Sequence, residues 1–543
     1  MKLLPFLFSI LAAPITDATP VNEGQVSQPA FDHGTTNASE DGFQYLNSKT
    51  RKYLVDGKSI PEVKFDVGES YAGLLPISPS SNSRLFFWFF PTSNPKASDE
   101  ITIWLNGGPG DSSLNGMLLA TGPFLWQPGT DRPIPNPYAW NNLTNVVYID
   151  QPAGTGYSPG SGTVGSVIDI AEQFTSWFKN FAITFGLERR KVYITGESYA
   201  GHMIPYIASR MLDEKNNTYS NVRGVQIVDG VINSFSVIQQ GRSPENIRHI
   251  APEHQLYICA NFVNGLAPVV AAVKHFNHVM NLNDTFISDI NTRSEQCGYN
   301  KFLSEVLTYP PSKKIFATPD KDQPGCSIWS DILTAAFKVN PCFNTYHLTD
   351  RCPTPESVMD DGPNSYFNRE DVKKVLHVPP KTDYKAHGGF AWSGFPGVDG
   401  LAPRPSALGP LPRVIELTNN TIIAHGLQDF LLLANGSLAT IQNMTWNGYQ
   451  GFQKAPTEPL VVPYRHQRRE LDYRKGSAME TGVRVEGNAH TERGLTFVSI
   501  DTAGHESKAS SHTSPQAMPQ YTPGAAYRQL EFLLGRIESL QQE

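Results

Sequence analysis

Apolar residues fall into short runs bounded by turn residues over most of the chain. RLFFWFF (84–90), EITIWLNGG (100–108), NVVYIDQ (145–151), KVYIT (191–195) and VRGVQIVDG (222–230) each predict a buried strand. Between the third and fourth, IDIAEQFTSWFKNFAITF (168–185) repeats its apolar positions every three or four residues, the period of an amphipathic helix. Strand and helix in alternation imply a mostly parallel sheet covered by helices on both faces, with ligand-binding turns at the strand ends. The alternation lapses over 235–350, which holds helix-like stretches such as LAPVVAAVKHFNHVM and four of the five cysteines; it reads as an inserted cap. The rhythm resumes with TIIAHGLQDFLL (421–432) and LTFVSIDTAGH (495–505) and ends in a helix, AAYRQLEFLLGRIESL. The expected organisation is a core in two parts, 61–234 and 351–543, around the cap at 235–350, with a polar leader or surface wrap at 20–60.

One strand-to-helix junction carries chemistry. KVYIT leads into GESYAG, which sets Ser198 between Gly196 and Gly201 just before the apolar helical pattern of AGHMIPYIASRML. A serine on so sharp a turn has its hydroxyl lifted clear of the sheet edge, as a nucleophile requires. An activated serine needs a base, and the base an orienting carboxylate, both later in the chain on this kind of sheet. Asp429 follows the strand TIIAHG and His505 follows the strand LTFVSI, so the order is serine, aspartate, histidine. His425 is the nearest rival base, but it is read as part of the aspartate's own loop. An oxyanion also needs backbone N–H groups that no side chain screens. WLNGGPGDSS (104–113) offers them at a strand end, and the natural pair is Gly108 with Tyr199, the residue after the nucleophile.

Composition narrows the class further. Hydrophobic residues at 39% and aromatics at 11% describe a globular chain, and the net charge of −7 gives no electrostatic reason to expect nucleic acid or an anionic membrane. The basic cluster RHQRRE (465–470) is read as a solvated surface stretch. MKLLPFLFSILAAPITDAT (1–19) has the lysine, apolar run and small residues of a secretory signal; no segment reaches the roughly 20 apolar residues of a membrane anchor. Cys259, Cys297, Cys326, Cys342 and Cys352 lack C-x-x-C spacing and in an oxidising compartment read as staples, with one left over. Seven N-x-S/T sites are compatible with glycosylation on that route. His275 and His278 have helical spacing but no third ligand nearby, and no metal or other cofactor is expected.

WLNGGPG, NVVYIDQPAGTGYS, GESYAGHMIPYIA, HGLQD and AGH occur in that order across residues 61–543, and in this the chain resembles the serine carboxypeptidases, secreted and vacuolar enzymes of the α/β-hydrolase fold. The resemblance implies a triad of Ser198, Asp429 and His505 with an oxyanion hole at Gly108 and Tyr199. It also implies that Asn106, the Gly107 N–H and Glu197 grip the free terminal carboxylate of a peptide or protein substrate. Glu197 must then be protonated to donate, so activity is expected to peak in acid and fall as Glu197 ionises; His505 must be neutral, which sets the opposing acidic limb.

Three departures bear on the transfer. Asp111 stands where the family usually has a cysteine whose disulfide ties this loop to the cap. Ala120 stands where its carboxypeptidases usually have a second glutamate partnering the one beside serine. The polar stretch SKASSHTSPQA (507–517) intervenes between the histidine and the final helix. The leading expectation is a serine-type carboxypeptidase acting through an acyl-enzyme. Weakened carboxylate recognition at Ala120 would suit an acyltransferase or esterase, and an obstructed His505 a catalytically silent binding or protective protein.

Overall fold

The computed structural model describes residues 42–126, 130–160, 165–233, 269–312, 323–350, 365–388, 405–463, 484–505 and 522–542. The expected signal at 1–19, most of the leader, the first part of the cap, Cys259, Cys352, the basic cluster and the stretch 507–517 lie outside these residues.

Among the described residues, eleven strands form one sheet. In chain order they are β1 (Leu54–Val55), β2 (Ser70–Pro76), β3 (Arg84–Phe90), β4 (Glu100–Leu105), β5 (Asn145–Asp150), β6 (Lys191–Glu197), β7 (Val222–Val228), β8 (Thr421–Gly426), β9 (Glu458–Val462), β10 (Arg484–Glu492) and β11 (Leu495–Ile500). Their spatial order is β1-β2-β3-β5-β4-β6-β7-β8-β11-β10-β9. The six central strands, β5 to β11 in that order, run parallel. Both flanks are antiparallel. This is the α/β-hydrolase architecture, with a sheet that is mixed because its flanking strands turn back.

The apolar runs are continuous because both faces are buried. Along β3, Leu85, Phe87 and Phe89 enter one core while Phe86, Trp88 and Phe90 enter the other. A strand alternates its side chains, so a strand between two helical layers needs apolar residues at every position. α1 (Val167–Phe185) covers one face through Ile170, Phe174, Trp177, Phe178, Phe181 and Phe185, all buried. Ser166 caps its start by accepting the Asp169 N–H. α2 (Ala200–Asp213) lies beside it.

The described part of 235–350, the segment read as a cap, contains α3 (Asp284–Gln296), α4 (Tyr299–Val306) and α5 (Ile328–Val339). A disulfide joins Cys297 to Cys326, and Cys342 is also disulfide-bonded. The cap has its own apolar core, including Ile290, Tyr299, Phe302, Ile328 and Ile332, and this core continues into Phe430 and Leu433. Those two residues lie one and four positions beyond Asp429, so cap packing and the position of that carboxylate are linked through one short segment. The rest of the second core part supplies α6 (Leu411–Thr418), α7 (Ala434–Asn443) and α8 (Pro523–Leu533).

Candidate active site

Neighbouring parallel strands deliver their C-terminal ends to one rim of the sheet. The segments that leave these ends carry Asn106–Gly108 after β4, Ser198 after β6, Asp229 after β7, Asp429 after β8 and His505 after β11. This is where open α/β sheets place ligands, because the loops leaving these ends diverge and leave a crevice.

Ser198 sits at φ +56, a left-handed conformation that a non-glycine residue adopts only where its surroundings impose it. Its N–H donates to Val228 O at 2.9 Å, while its carbonyl accepts from Gly201 and Val231, each at 2.9 Å. These bonds clamp the turn between β6, β7 and α2 and point the side chain away from the sheet. Ser198 Oγ lies 3.0 Å from His505 Nε2, and His505 Nδ1 lies 2.7 Å from Asp429 Oδ2. The other Asp429 oxygen, Oδ1, accepts the N–H groups of Leu431 and Leu432, both at 2.8 Å. His505 is held from the cap side as well: its N–H donates to Tyr346 O at 2.6 Å, and the two rings lie 5.5 Å apart. Asp429 and His505 are fully buried, and Ser198 keeps 8% of its surface.

The loop after β4 comes against this serine from the other side. A Cβ on Gly107 would stand 2.6 Å from Ser198 Cβ and 2.6 Å from Tyr199 N, so only glycine lets the two backbones meet. Gly108 has φ +104, where a side chain is strained whatever the space. Tyr199 begins α2, so its amide lies at the positive end of a helix. The structure therefore brings Gly107, Gly108, Ser198 and Tyr199 to one point.

A family model described as serine carboxypeptidase matches residues 61–522. The chain belongs to the serine carboxypeptidase family. It is 49% identical to the carboxypeptidase Y homolog of Arthroderma benhamiae, over 92% of this chain and 89% of that one. It is 37% identical to the serine-type carboxypeptidase F of Aspergillus niger, over 96% and 93%. Among solved structures, the Kex1 prohormone-processing carboxypeptidase of Saccharomyces cerevisiae aligns over 91% of this chain and 98% of that one, with a TM-score of 0.61 at 19% identity, which supports the fold. The protein is thus a serine-type carboxypeptidase. Among the described residues no helix is long and apolar enough to cross a membrane.

Glu197 and Asn106 leave adjacent strands side by side, since β6 pairs Gly196 with Leu105 of β4. Asn106 Oδ1 accepts from Trp104 Nε1 at 2.7 Å and from Gly116 N at 3.2 Å, which fixes its amide plane. Glu197 is fully buried, and neither carboxyl oxygen has a hydrogen-bond partner among the described residues. Ala120 is buried in the turn Met117–Thr121 and brings no carboxyl to it.

Sequence reasoning assigned no role to two groups behind Ser198, His505 and Asp429. His425 is not in the loop of Asp429, as the pattern had implied; it is the fifth residue of β8, fully buried, with Nε2 3.3 Å from Asp429 Oδ2 and 3.7 Å from Asp229 Oδ1. Its Nε2 also meets Leu432 O, and its Nδ1 lies 3.1 Å from Ser437 Oγ. Asp229, at the end of β7, accepts the Gly426 N–H at 2.7 Å. The available signal was a lone histidine inside an apolar strand next to a strand that ends in aspartate. Asp229, Asp429 and His505 also bring one ligand atom each within 4.8 Å of one another, but Asp429 and His505 already engage each other.

These buried groups set the pH dependence of stability. Burial pushes the Asp150 carboxyl up to about 7 against three donated hydrogen bonds, the Asp229 carboxyl up to about 6 and that of Glu100 up to about 7. A carboxyl raised above its unfolded value favours the protonated fold, so each of these costs stability as pH climbs from about 4 to about 7. Burial pulls His425 down, but its bond to Asp429 and the charges of Asp229 and Asp429 leave it raised. Its contribution is full below about 6.5 and is lost as pH rises through the folded value. Asp429 runs the other way: burial raises it, but the two histidines hold it low, so its contribution disappears only in stronger acid. The melting temperature is therefore expected to be a few degrees higher at about pH 5 than at about pH 7.5 by scanning calorimetry. An equal or higher value at the upper pH would show that these carboxyls ionise in the fold without cost.

Proposed function

We propose that Ser198 attacks the carbonyl of a peptide's last bond, that His505 takes its proton and returns it to the departing amine, and that Asp429 fixes the imidazole. The Oγ–carbon bond forms as the hydroxyl proton moves to His505 Nε2. The carbon–nitrogen bond breaks as that proton passes to the leaving amino acid. Water then repeats the sequence on the acyl-enzyme and regenerates the serine. The N–H groups of Gly108 and Tyr199 hold the oxyanion. Asn106, the Gly107 N–H and a protonated Glu197 hold the terminal carboxylate, which registers the scissile carbonyl one residue away. The observation that carries this reading is the hydrogen-bonded chain from Ser198 Oγ through His505 to Asp429, at 3.0 and 2.7 Å. A secreted or vacuolar destination is supported by the signal-like N-terminus and by the disulfides.

The carboxylate grip is tested by comparing a free-acid peptide with its C-terminal amide in acid. The acid is expected to be turned over at least about tenfold faster in kcat/KM, because one charge-assisted contact discriminates by more than 1.4 kcal/mol. Its advantage is expected to shrink as pH rises, mainly through KM. Equal turnover of both substrates would place the enzyme with esterases or acyltransferases that use the same serine.

A further inference from the structure

The loop that brings Gly107 and Gly108 to Ser198 is long and rich in glycine, and something must hold it still. Asp111 lies three residues beyond Gly108 with 1% of its surface exposed. Its N–H donates to Gly107 O at 3.2 Å, and a Cβ on Gly108 would stand only 2.8 Å from Asp111 N, so the two residues pack directly on each other. Asp111 Oδ1 lies 3.1 Å from Nδ1 of His387, whose side chain is 28% exposed. A carboxylate buried this deeply is costly unless a donor answers it.

The backbone around this pair is ordered too. Asp111 and His387 face each other in an antiparallel bridge, with Gly388 N donating to Gly110 O at 2.5 Å and Ser112 N to Ala386 O at 3.0 Å. The hydrogen bonds run between the neighbours, so the facing residues form the pair type whose side chains come closest. The same strap bonds further back: Gly156 N donates to Lys385 O at 2.9 Å, and Lys385 N to Gly156 O at 3.2 Å. Ser112 Oγ and Tyr157 N both donate to Asp150, at 2.6 and 3.0 Å. Residues 384–388 thus fasten the Gly108 loop to the Gly156 loop, and the Asp111–His387 contact is the side-chain clasp at the end next to the reacting serine.

We propose that Asp111 and His387 are positioning residues, whose contact holds the Gly107–Gly108 amides in register with Ser198 as a cross-link would. This rests on the reading of Gly108 as an oxyanion donor. It follows that loosening the clasp should lower kcat more than it raises KM, since the oxyanion forms only during reaction. An amide displaced by about 1 Å costs up to about 10²-fold.

The test uses the full-length enzyme and three variants on one peptide. Asp111→Ala and His387→Ala are each expected to lose about 10-fold to 10²-fold in kcat, with a smaller change in KM. The second carries the test if the first fails to fold, because His387 is the more exposed partner. The double variant Asp111→Cys/His387→Cys is expected to oxidise to a disulfide, since facing residues of this pair type lie within disulfide reach. Oxidised, it should recover most of the lost kcat, and it should lose it again at a reductant concentration that leaves the wild type unchanged. Either alanine variant, folded by its melting curve, with kcat within about twofold of wild type would overturn the proposal. So would two more free thiols in the air-oxidised folded double variant than in the wild type, or an oxidised form no faster than the reduced one. Failure of the underlying hydrolase reading looks different, because the wild type itself would then release no C-terminal residue.

Discussion

Replacing Ser198 with alanine is expected to reduce kcat by about 10⁶-fold, the loss seen when a serine hydrolase is deprived of its nucleophile. Alanine keeps the Cβ that packs 2.6 Å from the place where a Gly107 side chain would begin, and it keeps the backbone bonds to Val228, Gly201 and Val231. The left-handed turn at φ +56 is imposed by those bonds rather than by the hydroxyl. The melting temperature is therefore expected to stay within a degree or so of wild type, and KM within a few-fold. An organophosphate probe supplies a readout that does not depend on turnover: the wild type takes up one adduct and Ser198→Ala none. A Ser198→Ala enzyme that retained more than about 1% of wild-type kcat would mean that the attacking group lies elsewhere.

The legible parts of this molecule are those where local sequence decides. β3, β4 and β5 appear in the apolar runs because a strand covered on both faces has no polar position to dilute the signal. Ser198, Asp429 and His505 were legible because each follows such a run, and the chain order restricts which residues can meet. β9 and β10, at the sheet's edge, gave no such signal. RVEGNAHTE of β10 carries charged and small residues, and its place comes from antiparallel pairing with β9 and β11. The contacts around the triad were hidden for a different reason. Asp111 meets His387 across 276 residues and His505 meets Tyr346 across the cap boundary, and no periodicity encodes such long-range choices. His425 was misplaced by one short step, because the histidine in TIIAHG still belongs to the strand.

Asp429→Asn is expected to cost about 10⁴-fold in kcat with KM little changed, because it reverses the proton on His505 rather than removing a contact. Asp429 Oδ1 accepts two backbone N–H groups, from Leu431 and Leu432. An asparagine must place its only acceptor there, since an NH₂ group facing two donors would leave all of them unsatisfied. The NH₂ then occupies the site of Oδ2, 2.7 Å from His505 Nδ1. His505 must accept at Nδ1 and carry its proton on Nε2, so it offers Ser198 a donor where the reaction needs an acceptor. Stability should respond in a matching way. His425 loses the carboxylate 3.3 Å away that helps keep its proton, so the advantage in acid over neutral pH is expected to narrow in this variant. Steady-state kinetics and melting curves at two pH values check both effects. An Asp429→Asn enzyme within about tenfold of wild-type kcat would show that Asp429 does not set the tautomer of His505.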